Sequence, residues 1–170
     1  MIADRIGRLK LRFLLLSLAI VALDQWTKWL IERNVPLHGS IEILPGLFYL
    51  SHVRNTGVAF GLFATGGIGW GSILLTVAVV AAGGFAAWFF GRTPDDEQLL
   101  LFALALVLGG AVGNLIDRVT TGAVTDFLAV YLGSYRWPDF NVADSAISVG
   151  VVLIAIDALR PRAEPAPAPE

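Results

Sequence analysis

The run Leu99-Leu100-Leu101-Phe102-Ala103-Leu104-Ala105-Leu106-Val107-Leu108-Gly109-Gly110-Ala111-Val112-Gly113-Asn114-Leu115-Ile116 is followed at once by Asp117-Arg118. A helix that crosses a bilayer needs about 20 mostly apolar residues, so this run is barely long enough to be one. Its polar residues gather at one end. Outward from it lie three further candidates, at about Leu11–Ile31, Ile68–Phe90 and Ala143–Leu159, the last again short with polar residues at one end.

The whole chain agrees with that reading. Its 170 residues are 56% hydrophobic and 15% charged, against roughly 25% charged in soluble domains. Mean hydropathy is +0.71. There is no cysteine, hence no disulfide framework and no thiolate metal site. Two histidines, His38 and His52, are too few for an ordinary zinc-hydrolase constellation. A net charge of −2 with no basic stripe argues against nucleic acid as a partner. The expected fold is an all-α membrane protein: a four-transmembrane-helix bundle with a small extracytoplasmic β-strand or cradle element. One domain covers 1–160, and a Pro/Ala-rich tail, 161–170, is expected to be disordered in the cytoplasm.

Arg5, Arg8, Lys10 and Arg12 precede the first span. A signal-peptide cut after Ala22 would put Ile20 where a small residue is wanted, so the segment reads as a retained span. With an even number of spans both termini share a side, which carries seven Lys/Arg against five on the other. That bias places the termini in the cytoplasm. The segments Leu47–Val53 and Ala123–Tyr131, in the two long outer loops, are rich in aromatic and β-branched residues and read as strands.

Several charges stand where charge is costly. Asp24 and Lys28 are spaced i, i+4 near the outer end of the first span, in the favourable acid-first order, and read as an interfacial ion pair that orients the helix. A sharper reading has Asp24 supporting a site. Asn114, Asp117 and Arg118 share one helix face and read as the end of the third span. The glycines at 109, 110 and 113 form a small-residue seam for close helix packing. Asp144 opens the fourth span, where an N-cap role would explain it. Asp126 lies in an apolar strand-like run and has no comparable structural excuse. Two carboxylates held close share a proton, so one can accept a proton from water while the other polarises a carbonyl. On these residues alone three readings stand: a peptidase with an aspartate dyad, a small transporter or proton relay, and a non-enzymatic scaffold. The acids cluster at span ends and the halves show no inverted repeat, which weighs against the transporter.

Four stretches in series carry a resemblance. They are Asp24-Gln25-Trp26-Thr27-Lys28; Arg54-Asn55-Thr56-Gly57-Val58-Ala59-Phe60-Gly61; Gly113-Asn114-Leu115-Ile116-Asp117-Arg118; and Val124-Thr125-Asp126-Phe127 with Phe140-Asn141-Val142-Ala143-Asp144-Ser145. In order and spacing the chain resembles the lipoprotein signal peptidases (signal peptidase II). The resemblance implies a multi-pass aspartyl endopeptidase of the bacterial inner membrane, with its active site at the outer face and no cofactor or metal. It implies cleavage on the N-terminal side of the diacylglyceryl-modified cysteine of a prolipoprotein. The implied catalytic aspartates are Asp126 and Asp144. Asp24, Lys28, Asn55, Gly57, Asn114, Asp117, Arg118, Asn141 and Ala143 are implied as substrate-binding or supporting groups. Membrane lipid is an implied partner, and the cyclic peptide globomycin an implied inhibitor.

Overall fold

The computed structural model describes residues 2–57 and 70–160, with side chains over 9–57 and 73–160. The tail 161–170, the second span's start at Ile68 and the Val58–Gly61 part of the second motif lie outside the described residues. The elements run α1 (Ile2–Asn34), β1 (Ser40–Leu44), β2 (Phe48–Asn55), α2 (Trp70–Arg92), α3 (Gln98–Thr121), β3 (Val124–Leu132), β4 (Tyr135–Arg136) and α4 (Val142–Ala158).

Helix α3 is central and packs on α1, α2 and α4. Its small residues set the approach distance. A Cβ on Gly109 would stand 2.9 Å from both Ile20 Cβ and the Ser17 carbonyl oxygen of α1. One on Gly110 would run into the carbonyl oxygen of Ala143 in α4. The glycine seam therefore admits one helix on each side, as small-xxx-small seams do in lipid. Ser17 Oγ adds a polar tie by donating to the Ala105 carbonyl at 2.8 Å. On the α2 side, Ala86 and Phe90 bury against Leu100, Leu101, Leu104 and Ala105.

The outward faces are apolar: Leu14, Leu15 and Leu18 of α1, Val77, Val80 and Phe85 of α2, and Val151 and Val152 of α4 are exposed. Contiguous apolar surface of that kind calls for lipid as its solvent. Among the described residues three helices are long and apolar enough to cross a membrane, at Leu9–Asn34, Ile73–Arg92 and Gln98–Thr121. The chain is thus a membrane-embedded, multi-span protein. Helix α4, with 17 residues, is shorter than these.

The strands make one antiparallel sheet in the order β1-β2-β3-β4. β2 and β3 correspond to the two strand-like runs in the sequence, while β1 and β4 enlarge the expected element. The β2–β3 ladder pairs Val53 with Asp126 and Asn55 with Val124, with an irregularity between Leu50 and Val53. Ile31 and Val35, at the end of α1, bury against Phe127 and seat the sheet on the bundle. A bridge between Leu128 and Phe140 then lays the chain beside β3 just before α4 begins. Helix α3 runs on to Thr121 and ends at Gly122 in the left-handed region (φ 75°). Asn114 and Asp117 therefore lie within the helix and Arg118 in its last turn, because Gly122 supplies the stop.

Candidate active site

Helices α1 and α3, the start of α4 and the sheet meet in one buried polar cluster. Its base is Lys28, whose ammonium donates to Asp24 Oδ2 at 2.7 Å and to Asn114 Oδ1 at 3.1 Å and stands 2.8 Å from Asp117 Oδ2. Asp24 is fully buried and Lys28 nearly so. The pair is therefore buried among the helices, with Asn114 and Asp117 of α3 as further partners. Asp117 from α3 closes over Lys28, and Asp24 Oδ1 accepts the Ala143 backbone N–H of α4 at 2.9 Å. Removing one member of such a buried pair costs about 3–5 kcal/mol, because the other charge is left uncompensated.

That ion cluster orients the amides above it. Lys28 is a pure donor, so its bond to Asn114 Oδ1 turns the Asn114 amino group away. The amino group donates to Asp144 Oδ1 at 2.7 Å. Asn141 is held between the two carboxylates. Its Nδ2 donates to Asp126 Oδ1 at 2.8 Å and to Asn114 Oδ1 at 3.1 Å. Its Oδ1 accepts the Asp144 N–H at 2.9 Å, and its own N–H donates to Asp144 Oδ2 at 3.2 Å. This is a reciprocal capping box. Asn141 is thus the cap of α4 and Asp144 its third residue, which corrects the reading of Asp144 as the N-cap.

The second oxygen of Asp126 is served from β2. Asn55 Nδ2 donates to Asp126 Oδ2 at 2.9 Å. Asn55 is held the right way round because its Oδ1 accepts the Gly57 N–H at 2.8 Å. Gly57 has φ +77°, and a Cβ there would collide with Leu75, so glycine is the residue that fits this turn. Asp126 itself is 2% exposed. Burial pushes its carboxyl up to about 7, opposed by the Asn55 bond, aided by the negative charge of Asp144, and opposed by Asn141 and Lys28. A carboxyl of that kind holds a proton near neutrality, which is what an acid–base pair needs.

Of the residues singled out from sequence, Asp24, Lys28, Asn55, Gly57, Asn114, Asp117, Asp126, Asn141, Ala143 and Asp144 are joined by these contacts. Arg118 is not: it is half-buried and donates at 3.3 Å to the Asn114 backbone carbonyl of its own helix. Sequence reasoning missed Gln25, whose Nε2 donates to Asp117 Oδ1 at 2.8 Å and the Gly113 carbonyl at 3.2 Å. An amide beside Asp24 in an apolar run was the available signal. Thr125 was missed as well. Its N–H donates to Asp117 Oδ2 at 3.2 Å and its hydroxyl to Glu32 at 2.7 Å. No group of three or more His, Asp or Glu side chains among the described residues is placed to hold a metal ion.

Solved structures share this arrangement of helices and sheet. A bacterial membrane enzyme determined by the in meso method at 1.9 Å superposes with a TM-score of 0.77 at 30% identity, covering 88% of this chain and 93% of that one. A second, determined at 2.3 Å, gives 0.75 at 31%, covering 87% of each chain. With the apolar helices and the buried carboxylates, this defines the class: a membrane-embedded enzyme. Residues 16–160 match the family model described as Signal peptidase (SPase) II, and the chain belongs to that family of proteases. Relatives named lipoprotein signal peptidase agree. The one from Geobacter sulfurreducens is 48% identical over 150 residues, 88% of this chain and 92% of that one. The Desulforapulum autotrophicum relative is 46% identical over 86% and 90%, and that of Syntrophus aciditrophicus 37% over 89% and 94%.

Proposed function

We propose that this protein is an aspartyl endopeptidase that removes signal peptides from diacylglyceryl-modified prolipoproteins, cutting N-terminal to the lipidated cysteine. The names of its relatives support the substrate class. The observation that carries the catalytic assignment is the single amide, Asn141, hydrogen-bonded to Asp126 by its side chain and to Asp144 by a reciprocal capping box. Two carboxyls from different elements, clasped by one residue and partnered by two further amides, support the reading of a proton-sharing pair.

In this reading the pair carries one proton and holds a water. The ionised member takes a proton from the water, whose oxygen bonds to the scissile carbonyl carbon. The protonated member gives its proton to the carbonyl oxygen, leaving a neutral gem-diol. On collapse the C–N bond breaks. The newly protonated carboxyl supplies the amine, one diol hydroxyl returns its proton to the other carboxylate, and the pair is restored with one proton. The pair titrates as a unit, so neither member owns the proton throughout. Asn55 and Asn114 hold the carboxylates, Lys28 holds Asn114, and Asp24 and Asp117 hold Lys28. The bilayer delivers the apolar signal helix and the acyl chains laterally. The reading includes four spans, with α4 the fourth, both termini in the cytoplasm, and the site at the outer face of the inner membrane. Globomycin is its expected inhibitor.

The test is mass spectrometry of the products formed by purified protein from a diacylglyceryl-modified prolipoprotein and from its unmodified twin. The expected products are a free signal peptide and a chain beginning at the lipidated cysteine, from the modified substrate alone. Cleavage elsewhere, or none by a folded protein, would sink the proposal.

A further inference from the structure

Asp117 reaches both carboxyls of the proposed pair at one remove. Its Oδ2 stands 2.8 Å from the Lys28 ammonium and accepts the Thr125 backbone N–H at 3.2 Å. Lys28 in turn donates to Asn114, whose amino group donates to Asp144. Thr125 precedes Asp126 in β3, and its carbonyl accepts from Asn141 Nδ2 at 3.4 Å. One carboxylate oxygen thus bears on Asp144 through Lys28 and Asn114, and on Asp126 through its own strand. It serves both only near one rotation of the carboxylate about its Cβ–Cγ bond, and that torsion is intrinsically soft.

The other oxygen fixes the rotation. Asp117 Oδ1 accepts from Gln25 Nε2 at 2.8 Å, its only hydrogen-bond donor among the described residues. The same nitrogen lies 3.2 Å from the Gly113 carbonyl oxygen and 3.3 Å from Asp24 Oδ2. All three partners are acceptors, so the amino end of the amide belongs at this point. Gln25 therefore touches both carboxylates that flank Lys28, and it adds a neutral donor where two negative charges face one positive one. A buried ion pair is favourable only when its remaining lone pairs find such donors.

We infer that Gln25 is a positioning residue for the cleavage reaction: by holding Asp117 at one rotation, it keeps Asp126 and Asp144 in register with each other. The inference rests on the peptidase reading above and deepens it by one residue. A Gln25 that only packed α1 on α3 would affect stability and leave the turnover of folded molecules unchanged.

The test compares full-length Gln25→Leu and Gln25→Glu with wild type, in detergent, on a diacylglyceryl-modified prolipoprotein. Gln25→Leu removes the donor at every pH. It should lower kcat about tenfold, short of the roughly 10²-fold of a 1 Å misplacement, and leave KM within about twofold. Gln25→Glu keeps the shape and makes the donor conditional. Protonated, the new carboxyl donates to Asp117 as the amide does. Ionised, it has no proton to give and faces Asp24 and Asp117, with Lys28 already shared between them. The kcat of Gln25→Glu, relative to wild type, should therefore be near one at acid pH and fall as pH rises. A ratio that is flat in pH, or a wild-type kcat in Gln25→Leu, would overturn the positioning role. Where Gln25→Leu does not fold, the isosteric Gln25→Glu carries the test alone.

A second readout needs no substrate. The Thr125 N–H is buried and bound to Asp117 Oδ2. Its hydrogen exchange, read by NMR at a single pH, should quicken about tenfold in Gln25→Leu as that bond loosens. Unchanged protection of Thr125 overturns the role whatever the kinetics. A folded wild type that fails to cut the prolipoprotein removes the peptidase reading, and the exchange measurement still decides whether Gln25 orients Asp117.

Discussion

Asp126 shows how one residue's surroundings set its chemistry. Its carboxyl is pushed up to about 7 by burial against an ordinary value of 3.8. Between those pH values the folded chain keeps a proton that the unfolded chain has lost. This group's contribution to stability is therefore full below pH 3.8 and is lost as pH rises through about 7. On the proposed mechanism, activity that needs the shared proton falls over the same upper limb. The Asn55 bond lowers the carboxyl's pKa, so Asn55→Ala should move the alkaline limb of kcat/KM to higher pH while the protein stays folded. A pH–rate profile checks this, and an unmoved or downward-moved limb contradicts it. Asp126 was legible in the sequence because a carboxylate in an apolar strand had no structural explanation. Asp24–Lys28 was visible as a pair but not as a buried one. The groups that enclose it, Asp117 and the Ala143 N–H, come from helices far along the chain, and spacing within α1 carries no trace of them.

At the scale of elements, α3 does two jobs through one glycine seam. Gly109 and Gly110 bring α1 and α4 close, and Gly113 makes room for Asp24 Oδ2, which a Cβ there would meet at 2.7 Å. That contact is with a fully buried carboxylate that also receives the Ala143 N–H, so it cannot swing aside. Gly113→Ala should cost about 1–3 kcal/mol of stability by overpacking and should depress kcat by displacing the start of α4. Thermal unfolding in detergent with a cleavage assay measures both, and wild-type behaviour in each would show that the seam tolerates a methyl group. The seam itself was readable in sequence, as were β2 and β3. β1 and β4 were not. β1 is exposed along its whole length and β4 has two residues, so neither leaves a burial-driven period in the chain. Asn141 as the cap of α4 was also hidden. A three-residue offset from Asp144 fits either residue as the cap, and the bridge of Phe140 to β3 decides between them.

For the whole molecule, the open geometric question is α4. Its 17 residues span about 25 Å at 1.5 Å per residue, short of a hydrocarbon core of about 30 Å. A crossing by so short a helix draws on the polar cluster at one end lying at the membrane surface rather than within it. The proposed topology then puts the β3–β4 turn outside and the α2–α3 turn inside. In the cysteine-free background, Ser134→Cys should react with an impermeant maleimide in intact spheroplasts, and Pro94→Cys only after permeabilisation. The reverse pattern would invert the protein and place the carboxylates on the wrong side for their substrate. Apolar run length was enough to read a multi-span membrane protein from sequence, because it reports on lipid rather than on tertiary contacts. The central claim remains the pairing of Asp126 with Asp144. Its most direct test is cleavage of a diacylglyceryl-modified prolipoprotein by wild type, Asp126→Asn and Asp144→Asn, each shown folded by thermal unfolding in detergent. The account predicts that each substitution lowers kcat at least about 10²-fold, the lower end of what a positioned acid–base group supplies, with little change in stability. Turnover at the wild-type rate by either folded variant would contradict it.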